Sequence, residues 1–332
     1  MKSNKNNKIV LIGEKRAGKT SIFSMIFTNI YPSETSYLES TQSISHNQII
    51  YSGGELIELD DCGFEQYTEN EYYIKAEAFE NVSTLIFVIN AEPPKENSNS
   101  CIPITNNEKY DDNIIDNYFI DLQKINKNNF LENCLKLLSE KSPKANVYIF
   151  IHKMDTILMD KRKNIFEGKK EEINQKLIKM NLTSKIFATS IWDGSLYVPW
   201  REIMSDMVLN KIKLEKGLNF LLESSNADEI FLFERNTLLC ICSVDKGKDI
   251  NKEERTKKIS ILIKKIKQAL RKNNEGFSTL KMRLNNIMVY IEEFTKYSYI
   301  MIISQKPKIN YELLSLNIYI LKKKLLNNFN YK

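Results

Sequence analysis

Histidine is nearly absent from this chain: His46 and His152 are the only two. Zinc ligation and His-based nucleophilic triads therefore have little material to work with. Cysteine is sparse and odd in number, with five residues (Cys62, Cys101, Cys134, Cys240 and Cys242) that share no ligand spacing beyond one C-x-C inside an apolar run. They read as reduced, cytosolic thiols and not as a disulfide framework. There is no run of eighteen apolar residues to cross a bilayer. The opening MKSNKNN lacks the apolar stretch of a signal peptide and a glycine after Met1, and the closing NNFNYK has no cysteine to prenylate. Membrane association is therefore expected only indirectly, through partners. Blocks of five or six like charges are missing too: 48 basic against 42 acidic residues leave +6, spread along a Lys- and Asn-rich chain. The aromatics sit inside apolar runs and are not interleaved with arginine, so no nucleic-acid platform is expected.

At 332 residues, 42 % of them hydrophobic, the chain has length for two domains with buried cores, and it shows no internal repeat. It is organised around residues 8–25, KIVLIGEKRAGKTSIFSM, where an apolar run breaks at a glycine and resumes at helical spacing. Gly13, Gly18, Lys19 and Thr20 satisfy G-x-x-x-x-G-K-[ST], with Lys15, Arg16 and Ala17 inside the loop and Ser21 after it. The motif counts only between a strand and a helix. Ile9 to Ile12 supply the first, and Ile22, Phe23, Met25 and Ile26 the second. Such a turn aims backbone N–H groups at one point, where an anion binds without base or nucleophile. Lys19 then reaches the β and γ phosphates, serving binding and catalysis alike, and Thr20 the Mg²⁺.

Further along, a Ser/Thr-rich loop leads into two strands, about 43–51 and 55–60, joined at Gly53-Gly54. The second ends in Asp60, Asp61, Cys62 and Gly63, at the strand end where nucleotide-binding α/β folds place a metal-meeting carboxylate. Residues 83–90 form a buried strand, 91–112 a polar insertion, and helical spacing returns at 114–122 and 131–138. Strand VYIFI runs into HKMD, a helix follows near 163–180, and strand KIFATS runs into IWD. Alternating strands and helices predict an α/β domain with a mainly parallel sheet. A long helical region over 196–224 leads out of it. Thereafter come paired strands in 229–244, an amphipathic helix at 254–271, strands NIMVYIEEF and YSYIMIIS, and a terminal helix at 309–329, predicting an α+β domain. That second domain carries no phosphate loop or acid/base pair, so binding another protein is its expected work.

Four pieces follow in the order of a guanine-nucleotide switch: phosphate loop, a Thr-bearing loop, an acidic strand end with glycine, and Lys-x-Asp after a buried strand. Asp155 can accept two hydrogen bonds from the guanine N1–H and exocyclic amine, a pairing that adenine does not offer, while His152 precedes it and the Lys153 stem covers the ring. Ser190 and Ile191 would bring backbone N–H to the guanine carbonyl. Thr41 is the loop threonine expected to meet Mg²⁺ and the γ-phosphate, with Thr20 and Asp61 as its companions at the metal. An ATP-using P-loop enzyme stays open wherever Asp155 does not read guanine.

At HKMD the chain resembles the Rag GTPases, which have His where Ras-like proteins usually carry Asn. DCG at 61–63, TSIWDGSLYVPW at 189–200 and ADEIFLFERNTLL at 227–239 resemble their A/B branch, so the likeness covers nearly the whole chain outside 91–112. It implies a Ras-like GTP-binding domain, 1–208, followed by a roadblock-like (longin-type) domain, 209–332, that joins a RagC/D-type partner. It further implies GTP/GDP and Mg²⁺ as cofactors, GTPase activity, and activating and exchange proteins. Such dimers signal amino-acid sufficiency to the target-of-rapamycin kinase complex, recruited from the cytoplasm to lysosomal or vacuolar membranes by a lipidated, roadblock-containing scaffold.

The chain departs from the family after Gly63. Where the family has Gly and then the Gln that orients the attacking water, Phe64 and Glu65 stand, with Gln66 one place later. A carboxylate beside the γ-phosphate repels it and cannot donate to it, so slow intrinsic hydrolysis is expected, or a GTP-binding scaffold subunit without useful turnover. Reading the strand end as Asp60-x-x-Gly63 moves the Gln place to Phe64, and a one-residue bulge would bring Gln66 into use. Lys15 and Arg16 add bulk to the phosphate loop, either obstructing an activating protein's arginine or lying harmlessly on the surface.

Overall fold

The computed structural model describes residues 7–14, 16–28, 30–38, 44–51, 55–62, 78–92, 130–208, 211–247, 278–284, 287–305 and 310–329, with single positions between 255 and 265. Lys15, Thr41, Gly63, Glu65 and Gln66 lie outside these residues, as do nearly all of the 91–112 insertion, the helical spacing at 114–122 and most of the helix expected at 254–271.

In chain order the strands are β1 (Lys8–Gly13), β2 (Ile44–Tyr51), β3 (Glu55–Cys62), β4 (Val82–Asn90), β5 (Asn146–His152), β6 (Lys185–Thr189), β7 (Glu229–Glu234), β8 (Cys240–Asp245), β9 (Thr279–Leu284), β10 (Ile287–Thr295) and β11 (Ser298–Ser304). The α-helices are α1 (Lys19–Phe23), α2 (Phe130–Lys141), α3 (Met159–Lys179), α4 (Tyr197–Asp206), α5 (Lys211–Ser225) and α6 (Tyr311–Phe329). One sheet has the order β2-β3-β1-β4-β5-β6, the other β8-β7-β11-β10-β9. The chain forms two compact units, one drawing its described residues from Met1–Ala17, Thr41–Ile44 and Cys62–Ala188, the other from Gly18–Ser40, Ser45–Asp61 and Thr189–Lys332.

The first unit is built on apolar runs with no polar alternation. Ile9 to Ile12, Leu85 to Val88 and Val147 to Ile151 are all buried. That is the pattern of parallel strands covered on both faces, and β4 indeed pairs in parallel with β1 and with β5. Helix α2 buries Leu131, Cys134, Leu135 and Leu138, at i, i+3, i+4 and i+7, while the Lys-rich α3 buries only Ile173 and Leu177. α3 begins at Met159, a turn earlier than its apolar spacing predicts, because the Leu158 carbonyl already accepts from the Lys161 and Arg162 amides.

In the second unit, the helix opening at Lys19 keeps α geometry only to Phe23 and widens into a π turn over Ser24–Thr28. The expected helix therefore exists but changes pitch, with Thr28 Oγ1 donating to the Ser24 carbonyl at 2.7 Å and Phe23 stacked on Phe27. The helical region 196–224 is two helices, since i→i+3 bonds from Met207 and Val208 tighten and end α4. β3 continues through Cys62, past the end expected at residue 60.

The second sheet is antiparallel at each pairing of β8, β7, β11, β10 and β9. Helix α5 buries Leu214, Leu218, Leu221 and Leu222, and α6 buries Leu314, Ile318, Leu321 and Leu325. The two pack closely at Gly217, where a Cβ would lie 2.8 Å from Leu321 Cδ1. Strand β9 was not among the sequence expectations. At this sheet edge Leu280 and Met282 are half-buried while Lys281 and Arg283 are exposed, so the basic residues mask a short alternating pattern. A mainly parallel α/β sheet of Ras-like type followed by an antiparallel sheet with helices, as in a roadblock-like domain, is the fold class read from the sequence.

Candidate functional site

The phosphate-loop motif begins where β1 ends. Gly13 has φ +155°, and a Cβ there would lie 2.1 Å from the Val88 carbonyl oxygen, so only glycine lets β1 run this close to β4. The Glu14 amide donates to Val88 O at 2.9 Å, and the Ala17 amide closes the turn onto Glu14 O at 3.2 Å. Glu14 Oε2 accepts from the Asn90 amide at 2.8 Å and from Asn90 Nδ2 at 3.3 Å. Arg16, exposed at φ 57°, and Gly18 at φ 90° are left-handed, the kind of turn in which successive N–H groups make an anion-binding concavity. Past Gly18 the chain turns helical, with Lys19 buried, Thr20 and Ser21 half-buried, and the Ile22 amide on Gly18 O.

In the second unit, Thr20 Oγ1 donates to Asp61 Oδ2 at 2.7 Å. Asp61 is 2 % exposed, and its neighbour Asp60, equally buried, has Oδ1 2.6 Å from His46 Nδ1. A hydroxyl and a buried carboxylate form the hard oxygen donor set that suits a small divalent cation, so the residues present fit Mg²⁺.

The other end of the expected nucleotide site lies at the close of β5. His152 is 1 % exposed and its carbonyl accepts from the Ala91 amide at 2.8 Å. Lys153 takes a left-handed turn at φ 63°, and its Nζ donates to the Arg16 carbonyl in the phosphate loop. Burial pushes the Lys153 ammonium below the usual lysine range; neighbouring Asp155 pulls it back up and Arg16 pushes it further down. Asp155 is half-buried in a short turn, Met154–Thr156, pinned by Arg162, whose Nη2 donates to Asp155 O at 3.1 Å and Nε to Ile157 O at 2.9 Å. Arg162 went unread in the sequence; a basic residue seven places after the aspartate was its only signal.

The Ser190 amide, expected at the guanine carbonyl, donates to Ser195 Oγ at 2.7 Å. The Trp192 amide donates to Ser190 Oγ at 3.0 Å, and the Ser195 amide to Asp193 Oδ1 at 2.9 Å. Ser190 thus anchors the turn that follows β6. The Asp-Gly-Ser sequence at 193–195 carried that turn signal.

A parallel sheet with a G-x-x-x-x-G-K-T loop closing its first strand defines a P-loop nucleotide-binding protein. The sequence matches the family described as "Gtr1/RagA G protein conserved region" over residues 8–263. It is 30 % identical over 318 residues to "Ras-related GTP-binding protein A" of Dictyostelium discoideum, covering 95 % of each chain. It is 29 % identical over 334 residues to "GTP-binding protein GTR1" of Saccharomyces cerevisiae, covering 96 % of this chain and 97 % of that one. More distantly, it is 23 % identical over 301 residues to "Ras-related GTP-binding protein C" of Homo sapiens, covering 87 % and 68 %. The chain belongs to the Gtr1/RagA family of G proteins, GTPases that bind guanine nucleotide.

Proposed function

We propose that the chain is a Rag-type switch that binds GTP and GDP with Mg²⁺, hydrolyses GTP slowly, and pairs with a RagC/D-type partner. The nucleotide-binding domain is 1–208 and the pairing domain 209–332. The observation that carries this reading is the 2.7 Å bond between Thr20, at the start of the helix after the phosphate loop, and Asp61, at the end of β3. In it two motifs far apart in sequence meet as the switch requires. Gly13, Lys15, Arg16, Ala17, Gly18, Thr20 and Ser21, with the Lys19 ammonium, would hold the phosphates; His152, Lys153 and Asp155, with Ser190 and Ile191, would hold the base. Thr20, Asp61 and Thr41 would hold the cation, which when bound neutralises phosphate charge. By their places in the sequence, Glu65 and Gln66 would orient water and Gly63 would meet the γ-phosphate.

The partnered chain works from the cytoplasm at lysosomal or vacuolar membranes, held by a roadblock-containing scaffold and set by activating and exchange proteins. There it reports amino-acid sufficiency to the target-of-rapamycin complex. Similarity to both A-named and C-named relatives supports a family of paired branches. Copurification and mass measurement test the pairing: a second Rag chain at equal stoichiometry is expected, and a homodimer overturns it.

A second reading, a GTP-binding scaffold subunit without useful turnover, is favoured by Glu65 in place of the water-orienting Gln. Single-turnover hydrolysis on the purified dimer separates the two. Conversion to GDP that an activating protein stimulates supports the switch; GTP that stays intact supports the scaffold.

A further inference from the structure

Glu14 is an acid inside an anion-binding loop, and the phosphate-loop reading alone gives it no task. A carboxylate facing the phosphates would repel them. Its Oε2 instead accepts both the backbone amide of Asn90, at 2.8 Å, and the Asn90 side-chain amide, at 3.3 Å. Asn90 is 4 % exposed, and its carbonyl accepts from Lys169 Nζ of α3 at 2.7 Å. A buried amide at the end of β4, itself tied to a surface helix, thus receives the loop's only acidic side chain.

The bond closes a ring within the first unit. Asn90 faces His152 in the β4–β5 register, and the next amide, that of Ala91, donates to the His152 carbonyl at 2.8 Å. Lys153, which follows, donates through Nζ to the Arg16 carbonyl, and the Ala17 amide returns to the Glu14 carbonyl at 3.2 Å. Breaking the Glu14 bond removes the one link of the ring made by a phosphate-loop side chain.

We infer that Glu14 is a positioning residue for nucleotide binding. Its Oε2 accepts both bonds from Asn90, which turns the carboxylate away from the phosphate site and fixes the loop backbone against β4, the neighbour of the strand that leads to the guanine turn. Losing the bond has two costs: the loop gains freedom, and one of the contacts that hold its backbone in the shape that receives phosphate is gone. The inference rests on guanine-nucleotide binding at this loop.

The test is release of fluorescently labelled GDP from the full-length chain, chased with unlabelled GDP in Mg²⁺ and accompanied by thermal midpoints. Glu14→Ala is expected to speed release about tenfold, the scale of a lost hydrogen bond to a charged group. Glu14→Gln keeps an accepting carbonyl and recovers most of the loss. Asn90→Ala removes only the side-chain donor, leaves the backbone amide in place, and so speeds release less than Glu14→Ala. A purely structural role would lower the midpoint while release well below it stayed at the wild-type rate, and that result overturns the inference, as does equal release from the Ala and Gln variants. Should Glu14→Ala not fold, the comparison of Asn90→Ala with wild type decides, and unchanged release there is overturning. Wild-type protein that binds no labelled GDP would instead bring down the nucleotide reading itself.

Discussion

The hydroxyl of Thr20 donates a 2.7 Å hydrogen bond to the carboxylate of Asp61, 41 residues further along the chain. A buried carboxylate is costly unless its lone pairs are engaged, so the pair holds the end of β3 to the start of α1 before any cation arrives. A divalent cation would take oxygen ligands from the same two groups. Thr20→Ala and Asp61→Asn are therefore expected to weaken GTP binding about tenfold or more in Mg²⁺, each removing a charge-assisted contact. The loss should shrink when EDTA removes the metal from all three proteins. Titration of a fluorescent GTP analogue with and without Mg²⁺ reads this, and equal losses in both conditions would mean that the pair is structural only.

Asp155 sits on a turn that Arg162 clamps through two carbonyls, so its side chain can change without the turn collapsing. A carboxylate only accepts, whereas an amide both donates and accepts. Asp155→Asn should thus lose guanine at the exocyclic amine and gain xanthine at the equivalent carbonyl. An exchange of preference from GTP to XTP by about a hundredfold or more is expected in competition binding, since unpaired polar groups in a recognition site cost most. Unaltered preference would remove Asp155 from base recognition.

Much of this was legible because the informative residues carry local chemistry. The phosphate loop is announced by its glycines and by apolar runs on either side, and β1, β4 and β5 by stretches too apolar for an exposed face. What escaped was non-local or masked. Glu14 and Asn90 are 76 residues apart and join only because β1 and β4 pair in register. β9 hides a half-buried face of two residues behind Lys281 and Arg283. The bond from the Ser190 amide to Ser195 runs to a hydroxyl five residues on, which periodicity does not register. The π turn after Phe23 keeps the apolar face of the helix and alters only its pitch, so apolar spacing could not disclose it.

Gly13→Ala tests the closest approach in the phosphate loop. The added methyl would lie 2.1 Å from the Val88 carbonyl oxygen and 2.6 Å from its nitrogen, backbone atoms that cannot swing aside, at a φ that side chains rarely adopt. The sheet would have to open between β1 and β4 to admit it. A destabilisation of about 3 kcal/mol or more follows, in the range reserved for strain at special backbone positions. Chemical denaturation measures it. Gly168→Ala, on α3, is the matched control, because a Cβ there meets nothing within 4 Å and alanine is the better helix former. Equal stabilities for the two variants would contradict the packing described for β1.

The last prediction concerns alkaline stability. Tyr290, on β10, is 3 % exposed, and its hydroxyl donates to Glu292 Oε2 at 2.8 Å. Burial first, and then the bond to Glu292, push its phenol up from 10.0 to about 12, while Ser315 pulls slightly the other way. Because the folded value lies above the unfolded one, the native state keeps its proton while the unfolded chain loses it. Its contribution to stability is therefore complete below pH 10 and is lost as pH rises from 10 towards 12. Tyr290→Phe has no proton to lose and should lack this slope, so the stability of wild type relative to the variant must fall across that window. Guanidinium unfolding of both proteins at several pH values isolates the phenol, since the two differ by that hydroxyl alone. Curves that stayed parallel from pH 9 to 12 would show that the Tyr290 proton is not linked to folding.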